Sequence, residues 1–324
     1  MSYTLRLLIF AAPCRKPHCC EYINAIDFLL AYYTIPFMKQ LTRLRPYAHL
    51  LRLHQPIGGF LLLGPTLWAL CLAGEGHPSL KLIFLFTLGT FLTRGLGCVA
   101  SDIADRNFDG LVARTKKRPL VTGEVGLKGA LGLLAGTCFL ALCVVLQLNA
   151  LTIKLSIIGL GLALIYPYAK RFTYWPQMVL GLAFSWGVPM AFAAQMNQVP
   201  PMAWLLFMTA VLWPLAYDTM YAMVDREDDR HIGVKSTALL LGRHDRLFIA
   251  AIQTSFMALL ILLGFLLKLQ ASYYLFLSLA ASLFVYQHYL IKDRNPERCF
   301  RAFLNNSWVG ALLLLGFVLG THPL

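Results

Sequence analysis

Residues 82–109 read LIFLFTLGTFLTRGLGCVASDIADRNFD: an apolar run, interrupted by the single charge of Arg94, that ends in Asp102, Asp105 and Asp109. A bilayer core about 30 Å thick takes roughly 20 apolar residues of helix, so 82–100 reads as a membrane span that delivers aspartates to an interface. Similar runs occupy 58–73, 127–147, 152–168, 178–195, 202–221, 248–267, 271–291 and 303–320. The 324-residue chain is 58% hydrophobic and 13% charged, against roughly 25% charged in soluble proteins. The expected fold is therefore an all-α multi-pass membrane protein, with about nine transmembrane helices around a central cavity opening to the cytoplasm.

Basic residues mark the cytoplasmic ends of spans. Arg106, Arg114, Lys116, Lys117, Arg118 and Lys128 follow the second span, and Lys170 and Arg171 follow the fourth. Arg226, Arg230, Lys235, Arg243 and Arg246 follow the sixth; Lys292, Arg294, Arg298 and Arg301 follow the eighth. The intervening loops hold little beyond Lys81, Lys154 and Lys268. This alternation accounts for most of the +13 net charge and predicts an N-inside, C-outside topology. A nucleic-acid footprint needs a basic face on a soluble domain, and none is expected.

Residues 1–45 read as an N-terminal extension and 46–324 as the membrane domain. The extension mixes a short apolar run, the cluster Cys14, His18, Cys19 and Cys20, and an aromatic stretch. The cysteine spacing is wrong for a zinc site, and no small-residue cleavage site follows the apolar run. Met38, followed by Lys39, Arg43 and Arg45, is an alternative translation start that leaves 1–37 without a role. Four of the eight cysteines fall in expected spans and read as small apolar residues.

A second acidic segment follows the sixth span: Asp218, Asp225 and Asp229. Residues spaced by three, four or seven share one helical face, so each trio reads as a carboxylate stripe at the basic side of the membrane. A carboxylate in a span is costly and tends to be functional, and like charges one turn apart call for a cation. Oxygen-only clusters suit Mg2+, which keeps waters and shares its shell with substrate phosphates. Nearby Arg106, Arg114, Lys116, Lys117, Arg118, Arg226 and Lys235 supply donors for phosphate oxygens. Two such segments separated by four spans predict a weak repeat whose helix ends face one metal–diphosphate site. Solvated loops paired with one another are the plainer reading.

These residues resemble the UbiA superfamily of membrane prenyltransferases. Ser101-Asp102-Ile103-Ala104-Asp105-Arg106-Asn107-Phe108-Asp109 fits the family's N-D-x-x-D-x-x-x-D motif except at Ser101, and Asp218, Asp225 and Asp229 fit its second motif. Tyr217 to Asp225, Gly233 to Thr237, Tyr166 to Thr173 with Pro176-Gln177, Pro56-Ile57-Gly58, Gly64 to Trp68 and Asn305-Asn306 resemble the branch acting on 4-hydroxybenzoate. His54-Gln55 departs from the usual acidic–basic pair before the proline.

The resemblance implies a transfer of a polyprenyl group from its diphosphate to the ring carbon ortho to the phenol, as in ubiquinone biosynthesis. Mg2+ on Asp105, Asp109, Asp225 and Asp229 would bind the diphosphate, and Asp225 would also help polarise the phenol. Arg171 would hold a substrate anion, carboxylate or diphosphate, with Lys170 a second candidate; a positive-inside anchor is the alternative for both. Substrate contacts are further expected from Ser101, Asp102, Arg118, Asp218, Tyr221 and Lys235. The implied setting is the bacterial inner membrane, with the lipid bilayer and the two substrates as partners and no protein partner.

Three rivals remain. One is a prenyltransferase for another aromatic acceptor. The second is a cation-coupled transporter, which would place acids near the midplane on broken spans. The third follows from Asp109-Gly110 to Arg114 and Gly123, which match half of a CDP-alcohol phosphatidyltransferase pattern. Leu127 and Leu131 stand where that pattern needs its closing carboxylates.

Overall fold

A computed structural model describes residues 44–107, 109–111 and 115–321. The readings of 1–37, of the Met38 start and of Arg114 concern residues outside that set. The chain divides into two units, Met1–Tyr47 and Ala48–Leu324. Of the first, residues 44–47 are helical.

Within the second unit the long helices are α1 (Ile57–Ala73), α2 (Leu80–Asp105), α4 (Leu127–Val145), α5 (Ala150–Phe172), α6 (Pro176–Ser185) and α7 (Gly187–Met196). They continue as α8 (Pro201–Val224), α11 (Asp245–Leu266), α12 (Ala271–Leu290) and α13 (Pro296–Thr321). Short α3 (Pro119–Thr122), α9 (Arg226–Ile232) and α10 (Thr237–Leu241) lie in the basic loops. No strand occurs among the described residues. An apolar medium leaves backbone groups no partner but one another, so helices are what such a sequence must form.

Every expected span coincides with helix. By length and composition, however, seven candidate spans qualify among the described residues, so a count of nine is not established. The helix at 57–73 has 17 residues, short for a span. That at 271–290 carries Gln287 and His288 in its last turn, which lowers its hydropathy. The run expected at 178–195 falls in two consecutive helices: α6 gives way to α7 at Trp186. There Gly187 passes so close to Thr66 that a Cβ would lie 2.1 Å from the Thr66 hydroxyl.

Helix ends follow local chemistry. Pro119, Pro176 and Pro201 occupy the first turns of their helices, where a missing N–H costs nothing. Asn149 caps α5 by accepting from the Thr152 amide at 2.9 Å. Gly233 closes α9 with φ of +72°, a conformation that favours glycine.

The core is aromatic and lies between α1, α8, α11, α12 and α13. Trp68 and Trp213 pack with ring centroids 5.1 Å apart. Trp213 donates to Asn306 Oδ1 at 2.9 Å and Trp68 to the Gly310 carbonyl at 3.3 Å, so each buried indole N–H is paired. Helices α1, α2, α4, α5, α6, α7, α8 and α13 all contribute to the wall of a cavity.

Candidate active site

The cavity has a volume of about 1150 Å3. Its wall includes Asp102, Asp105 and Asp109 from the first acidic segment and Asp218, Asp225 and Asp229 from the second. The expectation that the two segments meet at one site is met. The expectation that each forms a stripe on one continuous helix is not. α2 ends at Asp105, and Asp109 sits in a separate 3-10 turn, Asp109–Leu111. Asp225, with φ −92° and ψ 5°, is the joint between α8 and α9. Asp109 and Asp229, which lie beyond these breaks, both line the cavity.

The first trio is buried, with Asp102 1%, Asp105 4% and Asp109 6% exposed. Ion pairs compensate that burial. Arg52 donates to both oxygens of Asp102 at 2.8 and 3.0 Å. Arg118 bridges Asp102 at 3.0 Å and Asp109 at 2.6 Å. Lys170 reaches Asp105 Oδ2 at 2.5 Å. Burial raises the Asp109 carboxyl above its ordinary pKa, and neighbouring Arg118 pulls it back. The Thr115 hydroxyl holds the turn by donating to the Asp109 carbonyl at 2.7 Å.

The second trio is half-buried and depends on loop anchoring. The Lys235 amide donates to the Lys170 carbonyl at 3.1 Å, and the Thr237 amide to Gln177 Oε1 at 3.2 Å. These bonds fasten the segment after α9 to the α5–α6 corner. Arg226 pairs with buried Asp245, which Arg294 also holds at 2.8 Å.

Ser101, Arg118, Lys170, Tyr221 and Lys235, expected to contact substrate, all line the cavity. Arg171 is not among the lining residues. It donates to the Ala104 carbonyl at 2.6 Å and lies over the Tyr168 ring at 5.2 Å, fastening the end of α5 to the end of α2. Its guanidinium is 3.7 Å from Asp105 Oδ1. Arg106, Lys116, Lys117 and Arg226 are also outside the wall.

Two cations on the wall were missed as site residues: Arg52 and Arg94. Arg94 sits in α2 below the aspartates, within electrostatic reach of Tyr166, Tyr217 and Tyr221. Gly58 makes room for it, since a Cβ there would stand 2.6 Å from the guanidinium. The available signal was the charge inside an apolar run, which is a functional marker by default.

Among the described residues, three polar atoms on this wall are buried without a hydrogen-bond partner: Arg94 Nε, Asp105 Oδ1 and the Tyr217 hydroxyl. Orphaned buried groups cost free energy unless a ligand meets them. An unused carboxylate oxygen wants a cation, and an unused guanidinium N–H wants an anion. Among the described residues no three Asp, Glu, His or Cys side chains form a metal site by themselves. A divalent ion here would have to complete its shell with water and phosphate oxygens, which is how Mg2+ binds diphosphates. Beyond the polar mouth the wall turns apolar, through Leu61, Leu85, Phe86, Leu142, Val145 and Leu160. Phe300, Phe303 and Tyr221 form an aromatic corner, with Tyr221 and Phe303 centroids 4.8 Å apart.

The model of the UbiA prenyltransferase family matches residues 62–318. A 4-hydroxybenzoate octaprenyltransferase of Alkalilimnicola ehrlichii is 52% identical over 276 residues, covering 85% of this chain and 94% of that one. A solved apo structure of a UbiA homologue from Aeropyrum pernix K1 superposes with a TM-score of 0.70 at 26% identity, covering 80% of this chain and 97% of that one. A UbiA homologue from Archaeoglobus fulgidus, solved with GPP and Mg2+ bound, gives 0.67 at 18% identity, covering 85% and 99%. At that identity the likeness is one of fold.

Proposed function

The chain belongs to the UbiA prenyltransferase family, and we propose that it transfers a polyprenyl group from polyprenyl diphosphate to the carbon ortho to the phenol of 4-hydroxybenzoate, with release of diphosphate. It is an integral membrane protein. The basic ends of its spans, and with them the cavity mouth, belong on the cytoplasmic side of a bacterial inner membrane. The observation that carries the reading is a single cavity that joins two aspartate segments, an arginine whose Nε is unpaired and an apolar extension.

Asp105, Asp109, Asp225 and Asp229 are the residues to hold Mg2+, and Asp105 Oδ1 is the oxygen left over for it. When bound, the ion draws charge from the diphosphate leaving group. Lys170 and Arg118 now neutralise the aspartates; with the ion present they are placed to turn their donors to diphosphate oxygens. Lys235 and Ser101 add donors at the same mouth. Asp102 holds Arg52 and Arg118 in position. Arg171 is a positioning residue that joins two helix ends.

Arg94 takes the carboxylate of the aromatic acid. Its free Nε–H and its depth below the aspartates place the phenol end of the ring toward the diphosphate. Asp218 lies within electrostatic reach of Tyr166 and Tyr217, and Asp225 accepts from the phenol as the ring attacks. The C–O bond to diphosphate breaks, the ring carbon bonds to the allylic carbon, and the ring proton passes to the released diphosphate, which restores aromaticity. Faces of Tyr221 and Phe303 stabilise the positive allylic fragment by cation–π attraction. The apolar walls hold the tail and exclude water from it.

Purified protein in phosphatidylcholine vesicles, given geranyl diphosphate, 4-hydroxybenzoate and Mg2+, is expected to form prenylated 4-hydroxybenzoate, and EDTA is expected to stop it. Absence of product with every aromatic acid offered would overturn the reading.

A further inference from the structure

A second pocket, of about 310 Å3, is lined by four arginines, Arg226, Arg230, Arg243 and Arg294, over Ala238 and Leu239. It shares no lining residue with the catalytic cavity. Two carboxylates are paired with these guanidiniums. Asp245, fully buried, takes Arg226 and Arg294 together. Glu227 lies 3.7 Å from Arg230, and both are exposed. Four cations against two anions leave the concavity positive.

Asp245 fixes two guanidiniums in place without cancelling both, and Arg226 Nε is buried with no hydrogen-bond partner. Fixed, forked donors in cationic excess match the oxygens of a phosphate group. The pocket opens at the basic end of the candidate span Thr237–Leu266. Beside it Leu240 and Leu247 are 46% and 70% exposed, an apolar surface suited to acyl chains. Basic pockets at this level of a membrane protein take anionic headgroups.

We propose that this pocket binds the phosphate of an anionic phospholipid headgroup and thereby steadies α9. Arg226 and Arg230 sit on α9 together with Asp229, and Asp225 precedes them. A headgroup drawn in by these arginines therefore holds the second acidic segment over the cavity. This effect on turnover rests on the proposed function; lipid binding itself does not.

The test is native mass spectrometry of the full-length protein from micelles containing equal phosphatidylglycerol and phosphatidylcholine. Wild type is expected to retain phosphatidylglycerol selectively. The Arg230→Gln, Arg243→Gln double variant should bind it roughly thirtyfold more weakly, from two lost interfacial charges. In phosphatidylcholine vesicles its prenylation rate should equal that of wild type, and only wild type should speed up when phosphatidylglycerol is added. Equal retention of the two lipids by wild type, or undiminished retention by the variant, overturns the proposal. Displacement of phosphatidylglycerol by millimolar inorganic phosphate also overturns it and assigns the pocket to a free anion. If no lipid supports prenylation, the activity reading fails while the retention data still decide the lipid site.

Discussion

The two aspartate segments look alike in sequence and are built differently. Asp102, Asp105 and Asp109 are buried and held by Arg52, Arg118 and Lys170. Asp218, Asp225 and Asp229 are half-buried, and the last two flank or belong to a seven-residue helix anchored at one end by Arg226 and Asp245. One half is buried and held by ion pairs to residues of other elements. The other is carried on a short element whose position depends on contacts outside the cavity. A site that must admit a long-tailed diphosphate, release diphosphate and still exclude water is served by one fixed wall and one adjustable wall.

The comparison breaks most sharply if the two halves are not jointly required. Asp105→Ala and Asp225→Ala are each expected to lower kcat by at least about 10^3-fold, the scale of losing a principal charge-stabilising group, while membrane fractionation shows unchanged insertion. Activity surviving either change would remove the metal assignment from that segment. Their Mg2+ dependence should then differ from wild type as well, read as the metal concentration at half-maximal rate.

Arg94 tests whether the fixed wall also reads the acceptor. Arg94→Gln removes a charge-assisted donor worth about 1.5–3 kcal/mol, so KM for 4-hydroxybenzoate should rise roughly 10–100-fold. KM for the prenyl diphosphate should change little. A rise confined to the diphosphate would transfer Arg94 to the other substrate. Gly58→Ala acts on the same group from behind, because its Cβ would lie 2.6 Å from the guanidinium. The expected outcome is the same pattern of KM changes at about a few-fold, since a side chain end can yield part of that distance.

The spans were legible because lipid exposure and the positive-inside bias act on whole runs of residues, so nearly every residue of 82–100 votes the same way. The acidic segments were legible from spacing and from the family resemblance together. The breaks at Asp105 and Asp225 were not, because a helix period says which residues share a face only while the helix continues. Arg52 was hidden among basic residues that precede the first span, where charge asymmetry already explains a cation. Arg94 stood out as a lone charge, yet its neighbours Gly58, Tyr166 and Tyr217 come from other helices, so nothing local announced a pocket. Arg226 was read as a phosphate donor, and only the fold reveals that Asp245, at the start of α11, claims it.

The smallest expected effect separates neighbours. Lys170 and Arg171 are adjacent on α5, and successive residues on a helix point about 100° apart. Which of them enters the cavity is decided by the rotation of α5, which its packing against α2, α6 and α7 sets and its own sequence does not. Lys170 lines the cavity and pairs with Asp105, whereas Arg171 spends its donor on the Ala104 carbonyl. Lys170→Gln is therefore expected to lower kcat/KM for the diphosphate by about tenfold or more, the loss of one charge-assisted contact. Arg171→Gln should cost only about two- to threefold, because an exposed donor to a carbonyl is worth little. The measurement is initial rate against prenyl diphosphate at saturating aromatic acid and Mg2+. The reverse order of effects would mean that α5 is rotated when substrate is bound, and that the Lys170–Asp105 pair does not hold that edge of the wall in place.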